Sequence, residues 1–149
     1  MFDITVETRP DLRLVALPHK GPYLEVGKAF EKISAIFTSR ELWPHARGMA
    51  GLYYDDPNAV AAEDLRSHAG VVVAEDAPLP DPADDIPVKG GKFAVLHYKG
   101  PYAGLRAAYD HLYGDWLPQS GEEPANAPVM EVYLNSPNDT APEDLLTDI

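Results

Sequence analysis

Four apolar residues, Val26, Phe30, Ile33 and Phe37, follow one another at spacings of four, three and four. Leu105, Tyr109, Leu112 and Trp116 repeat that register 79 residues later. Side chains at such spacings share one side of an α-helix, so each stripe predicts a helix with a single face turned to the core. Ahead of the stripes, residues 12–17 and 92–98 alternate or run apolar with β-branched members, which predicts strands. Gly21-Pro22 and Gly100-Pro101 separate strand from helix. Glycine permits the turn, and proline suits a first helical turn, where its missing N–H costs nothing. Glu25 falls in that turn, where the helix dipole favours an anion. Beyond the helices, residues 49–54 and 129–134 predict another matched pair of strands, each running into a turn of Asp, Asn, Ser and Pro. Residues 70–74 predict the last strand of the first half, and residues 2–7 an additional N-terminal one. A counterpart to 70–74 is expected after Asp144, where the sequence ends at Ile149, so that strand is either very short or cut off.

The parallel between the halves extends to identity. Leu17-Pro18-His19-Lys20-Gly21-Pro22-Tyr23 returns as Leu96-His97-Tyr98-Lys99-Gly100-Pro101-Tyr102. Asp56-Pro57-Asn58 matches Ser136-Pro137-Asn138, and Ala62-Glu63-Asp64-Leu65 matches Pro142-Glu143-Asp144-Leu145, at an offset of 80. Three blocks in one order at a nearly constant offset read as an internal repeat. Between the copies, residues 76–88 hold four prolines and four aspartates, which excludes helix and central strand and reads as a linker. The expectation is one α+β domain over residues 1–149, a tandem duplication of a strand–helix–strand–strand unit. Repeat 1 runs over about 10–75, the linker over 76–88 and repeat 2 over about 89–149. An antiparallel sheet would carry two helices, with a groove between the halves as the natural concave site.

Charge narrows the choice of ligand. Twenty-four acids against twelve bases give a formal net charge of −12 and a pI near 4.6. Nucleic-acid binding rests on a basic surface that neutralises phosphates, and no Lys/Arg cluster occurs, so direct nucleic-acid binding is not expected. The same field favours cationic ligands or a basic protein surface. The absence of cysteine excludes a disulfide framework and thiol chemistry. The first residues lack a basic n-region, and no apolar run approaches the ~20 residues of a membrane helix, so the expectation is a cytoplasmic protein without membrane contact. None of His19, His45, His68, His97 and His111 forms a ligand-spaced pair, so neither metal nor cofactor is expected.

Setting one half against the other places Gly51 at the position of Glu131, and Tyr53 at that of Tyr133. With a period of two, Val129, Glu131 and Tyr133 share a face, while Met130, Val132 and Leu134 share the other. An unpaired carboxylate inside such a strand would cost several kcal/mol. Three readings stay open. Glu131 faces water from an open sheet side; it pairs with an internal base, Arg106 or Lys92 being the nearest by unit; or it lines a pocket and meets a cationic or hydrogen-bonding ligand. Tyr23, Tyr53, Tyr98, Tyr102, Tyr113, Tyr133 and Trp43 fall off the helix stripes or at strand ends, where an apolar ring with a polar tip suits a half-wet wall. Aromatic walls around one carboxylate suit flat organic cations, at ~0.5–2 kcal/mol per cation–π contact.

The repeated Lys-Gly-Pro-Tyr, the run Pro128-Val129-Met130-Glu131-Val132-Tyr133-Leu134-Asn135, Pro137-Asn138-Asp139-Thr140 and residues 142–148 together resemble the GyrI-like small-molecule-binding domain. This is the domain of gyrase-inhibitory proteins and of the effector-binding half of some AraC-type and multidrug-responsive regulators. The resemblance covers essentially the whole chain and implies the duplicated fold with a ligand groove between its halves. It also implies that Glu131 meets cationic ligands, with Tyr133, Tyr102, Tyr23, Tyr53, Tyr113, Trp116 and Tyr98 as candidate walls. No helix-turn-helix stands ahead of Phe2, so no transcriptional activity is expected of this chain alone. Three functions follow from the resemblance. The first is a stand-alone binder of cationic or amphipathic aromatic compounds, protective against toxins. The second is a hydrolase of reactive cyclopropane-bearing natural products, with Glu131 as general base aided by Tyr133. The third is a protein-level inhibitor that docks on DNA gyrase through its acidic surface.

Overall fold

The computed structural model describes residues 2–57, 59–122, 128–135 and 140–149. Asn58, Ser136, Pro137 and Asn138 of the repeated turn, and Asp139, lie outside them. Eight strands form one antiparallel sheet: β1 (Asp3–Arg9), β2 (Leu12–Lys20), β3 (Ala46–Tyr53), β4 (Arg66–Val73), β5 (Asp84–Val88), β6 (Gly91–Lys99), β7 (Val129–Tyr133) and β8 (Leu146–Asp148). Their order across the sheet is β1-β6-β8-β7-β3-β4-β2-β5. Read outward from the central β7–β3 pair, the strands matched in sequence occupy matching places on either side. The outermost places are exchanged: β1 pairs with β6, and β5 with β2.

That exchange curls the sheet. Residues 10–11 carry the chain from β1, at one end, to β2, near the other, and residues 89–90 return it from β5 to β6. The two links pack directly on one another. Gly90 N donates to Asp11 Oδ1 at 2.6 Å, and a Cβ at Gly90 would fall 2.4 Å from the Arg9 carbonyl oxygen. Only glycine allows so close a backbone approach.

Both predicted helices form, each after a glycine in the left-handed half of φ space: Gly21 at +129° and Gly100 at +147°. The helix does not start at the proline. A 3-10 turn comes first, Tyr23–Glu25 or Tyr102–Gly104, and Glu25 sits in that turn, paired with Lys28 at 3.3 Å. Helix α1 (Gly27–Ser39) is regular. The second helix runs as α2 (Leu105–Asp110), a π-helical stretch over His111–Trp116, and α3 (Leu117–Ser120). Pro118 cannot donate an N–H back into the ladder there.

The helix stripes bury as their period predicts. Ile33 and Phe37 pack with Val15, Leu17, Val71 and Val73 on one half of the sheet, and Ala108 and Leu112 with Leu96, Tyr98 and Ile149 on the other. Each fully buried side chain of this size contributes roughly 1.5–3 kcal/mol. The opposite face carries no helix. Leu14, Ala16, Ala50, Leu52 and Val72 cluster there with Met130 and Val132, on the consecutive strands β2, β4, β3 and β7.

One expectation changes. Residues 84–88, read as linker, form β5. Its Pro87 is tolerated because β5 lies at the sheet edge, where a missing N–H breaks no ladder on the outer side. The strand expected after Asp144 is present: β8 (Leu146–Asp148) lies between β6 and β7.

Candidate functional site

Strand β7 runs beside β3 at the centre of the sheet, with Gly51 directly across from Glu131 and Tyr53 across from Val129. Alternation puts Glu131 and Tyr133 on the helix-bearing face, and side chains from both helices meet them there. Phe30 of α1 sets its edge against the Tyr133 ring at 5.4 Å, and Tyr109 of α2 donates its hydroxyl to Glu131 Oε2. Tyr133 Oη donates to Glu131 Oε1 at 2.8 Å, and the hydroxyls of Tyr53 and Tyr133 bond to each other. Tyr102 packs edge-on against Tyr133 at 5.7 Å, and Tyr23 against Tyr53 at 4.9 Å.

Gly51 makes this arrangement possible. A Cβ there would stand 2.7 Å from Tyr53 Oη and 2.9 Å from its ring, so the Tyr53 ring occupies the space a side chain would need. Tyr23 is fixed from outside: its hydroxyl accepts from Asp55 N and faces the Asp55 and Arg66 carbonyls at 2.9 and 3.0 Å. Asp55 is in turn gripped by the Arg66 guanidinium.

The carboxylate is 6% exposed, which excludes the reading in which it faces water. No lysine or arginine pairs with it among the described residues. Lys92, one of the two bases considered, is bound to Glu122 at 2.8 Å instead. Burial pushes the Glu131 carboxyl above the usual carboxylate range, and the two phenol donors pull it part of the way back. The same burial, with the negative charge of Glu131 alongside, pushes the Tyr53, Tyr109, Tyr133 and Tyr102 hydroxyls up, so they remain donors at neutral pH. Tyr102, Tyr109 and Tyr133 are only half-buried, so the acid lies one phenol layer behind the surface.

Of the residues singled out from sequence, Tyr133, Tyr53, Tyr102 and Tyr23 therefore converge with Glu131. Tyr113 stands one layer out, stacked parallel on Tyr109 at 6.4 Å and 44% exposed. Tyr98 is core: its ring packs under the second helix, with Oη donating to the Pro101 carbonyl at 2.8 Å, and a Cβ at Gly104 would overlap that oxygen at 2.1 Å. Trp116 packs against the same core cluster. Trp43 caps Phe37 and donates to Thr38 Oγ1.

Tyr109 and Phe30 belong to the site although their spacing places them in the core stripes. The signal for Tyr109 was its hydroxyl, present in only one of two matched stripes. Two further polar atoms flank the group. Ser67 and Thr147, cross-strand neighbours of Tyr53 and Tyr133, have buried hydroxyls without a hydrogen-bond partner among the described residues.

The family model of the GyrI-like small molecule binding domain matches residues 2–149. The chain belongs to that family. A protein named DNA gyrase inhibitor from Yersinia enterocolitica is 30% identical over 135 residues, covering 87% of this chain and 84% of its own length. The crystal structure of the C-terminal domain of EcmrR superposes with a TM-score of 0.77 at 16% identity, covering 99% of this chain and 94% of that one. The structure of SAV2435 bound to tetraphenylphosphonium does so with a TM-score of 0.70 at 15% identity, covering 99% and 91%. No helix among the described residues is long and apolar enough to cross a membrane.

Proposed function

We propose that this GyrI-like domain binds organic cations with aromatic bodies, and that Glu131 neutralises their charge. One observation carries the reading: a buried carboxylate without a basic partner among the described residues, enclosed by Tyr109, Tyr133, Tyr53 and Tyr102. Such a group is held at a cost in the free protein, and a cation at the site offsets that cost. Ring faces add cation–π attraction of ~0.5–2 kcal/mol each. A rigid, preorganised wall also limits the ordering cost of binding. That SAV2435 was solved with tetraphenylphosphonium supports this choice of ligand class.

Both oxygens of Glu131 accept a phenol hydrogen bond, which suits a group that holds a charge better than one that takes a proton from water. Binding is therefore preferred to hydrolysis. Protection against toxic cations would follow from sequestration. A gyrase partner is suggested by the name of the Yersinia relative, and the net charge of −12 suits docking on a basic face. The test of the binding reading is calorimetric titration with tetraphenylphosphonium. Wild type is expected to bind in the micromolar range and Glu131→Gln at least about 10-fold more weakly, a loss of about 1.4 kcal/mol. Equal affinities would refute the reading.

A further inference from the structure

The helix-free face of the sheet carries a hollow of about 370 Å³, within the size range of small-molecule sites, roughly 300–1,000 Å³. Its walls come from both ends of the curled sheet: Leu12 and Val88 from one side, Phe93 from the other, with Val72, Met130 and Val132 as the floor. It shares no residue with the tyrosine-lined site. Met130 and Val132 flank Glu131 in sequence but point to the opposite face.

Its polar groups have the opposite sign. Arg9 and Arg47 stand at the rim, two of only twelve bases in a chain with twice as many acids. Arg9 is committed to Glu7 at 3.2 Å and Asp148 at 3.1 Å, beside His97, so its charge is balanced. Arg47 is not. It is exposed, its guanidinium touches only the Pro44 and Ala46 carbonyls, and it has no carboxylate partner among the described residues. It is also the extra residue of a β-bulge: Ala46 pairs with Val73 and Gly48 with Val72, leaving Arg47 without a partner. Bulges re-aim a side chain that regular pairing would point elsewhere. Here Arg47 and Gly48 are brought to the mouth of the hollow.

We infer that this hollow binds a small organic anion with an apolar, ring-bearing body. The rings would lie against Phe93, Val72 and Val132, and the carboxylate or sulfonate would meet the Arg47 guanidinium. An apolar floor alone accepts any hydrophobe. The unpaired guanidinium at its edge selects the anion and gives it two N–H donors in a fixed fork.

The test uses two fluorescent probes with the same rings, 8-anilinonaphthalene-1-sulfonate and the uncharged N-phenyl-1-naphthylamine. The sulfonate is expected to bind wild type at least about 10-fold more tightly than the neutral probe. Arg47→Gln should erase that difference while leaving tetraphenylphosphonium binding unchanged. Val132→Phe, which narrows the hollow from its floor, should weaken both probes, measured at a temperature where its melting curve shows the protein still folded despite the overpacking. Equal affinity for the two probes in wild type, or a sulfonate affinity untouched by Arg47→Gln, would overturn the inference. So would displacement of the sulfonate by tetraphenylphosphonium, which would put both ligands in one site.

Discussion

Gly51 faces Glu131 across the β3–β7 pair, and these are the same two positions that coincide when the halves of the sequence are aligned. One carries no side chain and the other a buried acid. The space left by the first is filled by the Tyr53 ring, which bonds through Tyr133 to the second. This difference between the halves is thus a single packed unit at the centre of the sheet.

Gly51→Ala should therefore act at a distance of one strand. The added methyl group has to displace Tyr53, at a cost of about 1–3 kcal/mol, typical of overpacking. Denaturant unfolding should register that loss, and tetraphenylphosphonium binding should weaken with it. Unchanged stability would mean that the ring does not lie over the glycine.

Glu131→Gln should stabilise the free protein, by about 0.5–2 kcal/mol, as replacements of strained functional residues commonly do. The sign with pH follows from the raised carboxyl. A group whose folded value lies above its unfolded one contributes stability that is fully present below the unfolded value and lost as pH rises through the folded one. Wild type should thus fall behind Glu131→Gln as pH rises from the acid range to neutrality. Melting curves that keep a constant separation across that range would contradict the assignment.

Tyr109→Phe removes a donor from Glu131 Oε2 without changing the ring. The ionised acid loses a charge-assisted hydrogen bond, so the destabilisation, about 1–3 kcal/mol, should appear at neutral pH and shrink in acid. Paired melts at the two pH values check it. The same substitution in a purely packing tyrosine would be insensitive to pH.

Gly90→Ala tests how the sheet is closed. Its methyl group would strike the Arg9–Pro10–Asp11 backbone at 2.4–2.6 Å, and backbone cannot swing aside as a side chain can. A loss of about 1–3 kcal/mol or more is expected in denaturant unfolding. A neutral outcome would mean that the crossing links are not packed as described.

Much of this molecule is legible in the chain itself. The helix stripes and most strands follow from periodicity, because burial on one face enforces 3.6 or 2 as the repeat. β5 was not legible. Asp84, Asp85 and Pro87 read as breakers, and only an edge position next to β2 makes them acceptable. Glu131 stood out because an acid inside an apolar strand is costly anywhere. Tyr109 did not, since its spacing satisfies the core stripe and its hydroxyl finds Glu131 only through the tertiary approach of α2 to β7. Tyr98 shows the converse, an aromatic residue proposed as a wall whose position is core.

In the proposed function the Glu131 carboxylate is the counter-ion of a bound organic cation. Carbon-13 NMR of the labelled glutamate carboxyl reads that group's ionisation directly, with Glu131→Gln to assign the resonance. In the free protein its midpoint should lie above the ordinary glutamate value, and saturating tetraphenylphosphonium should draw it down as the cation favours the charged form. A midpoint that does not move when the cation binds would rule out Glu131 as the counter-ion.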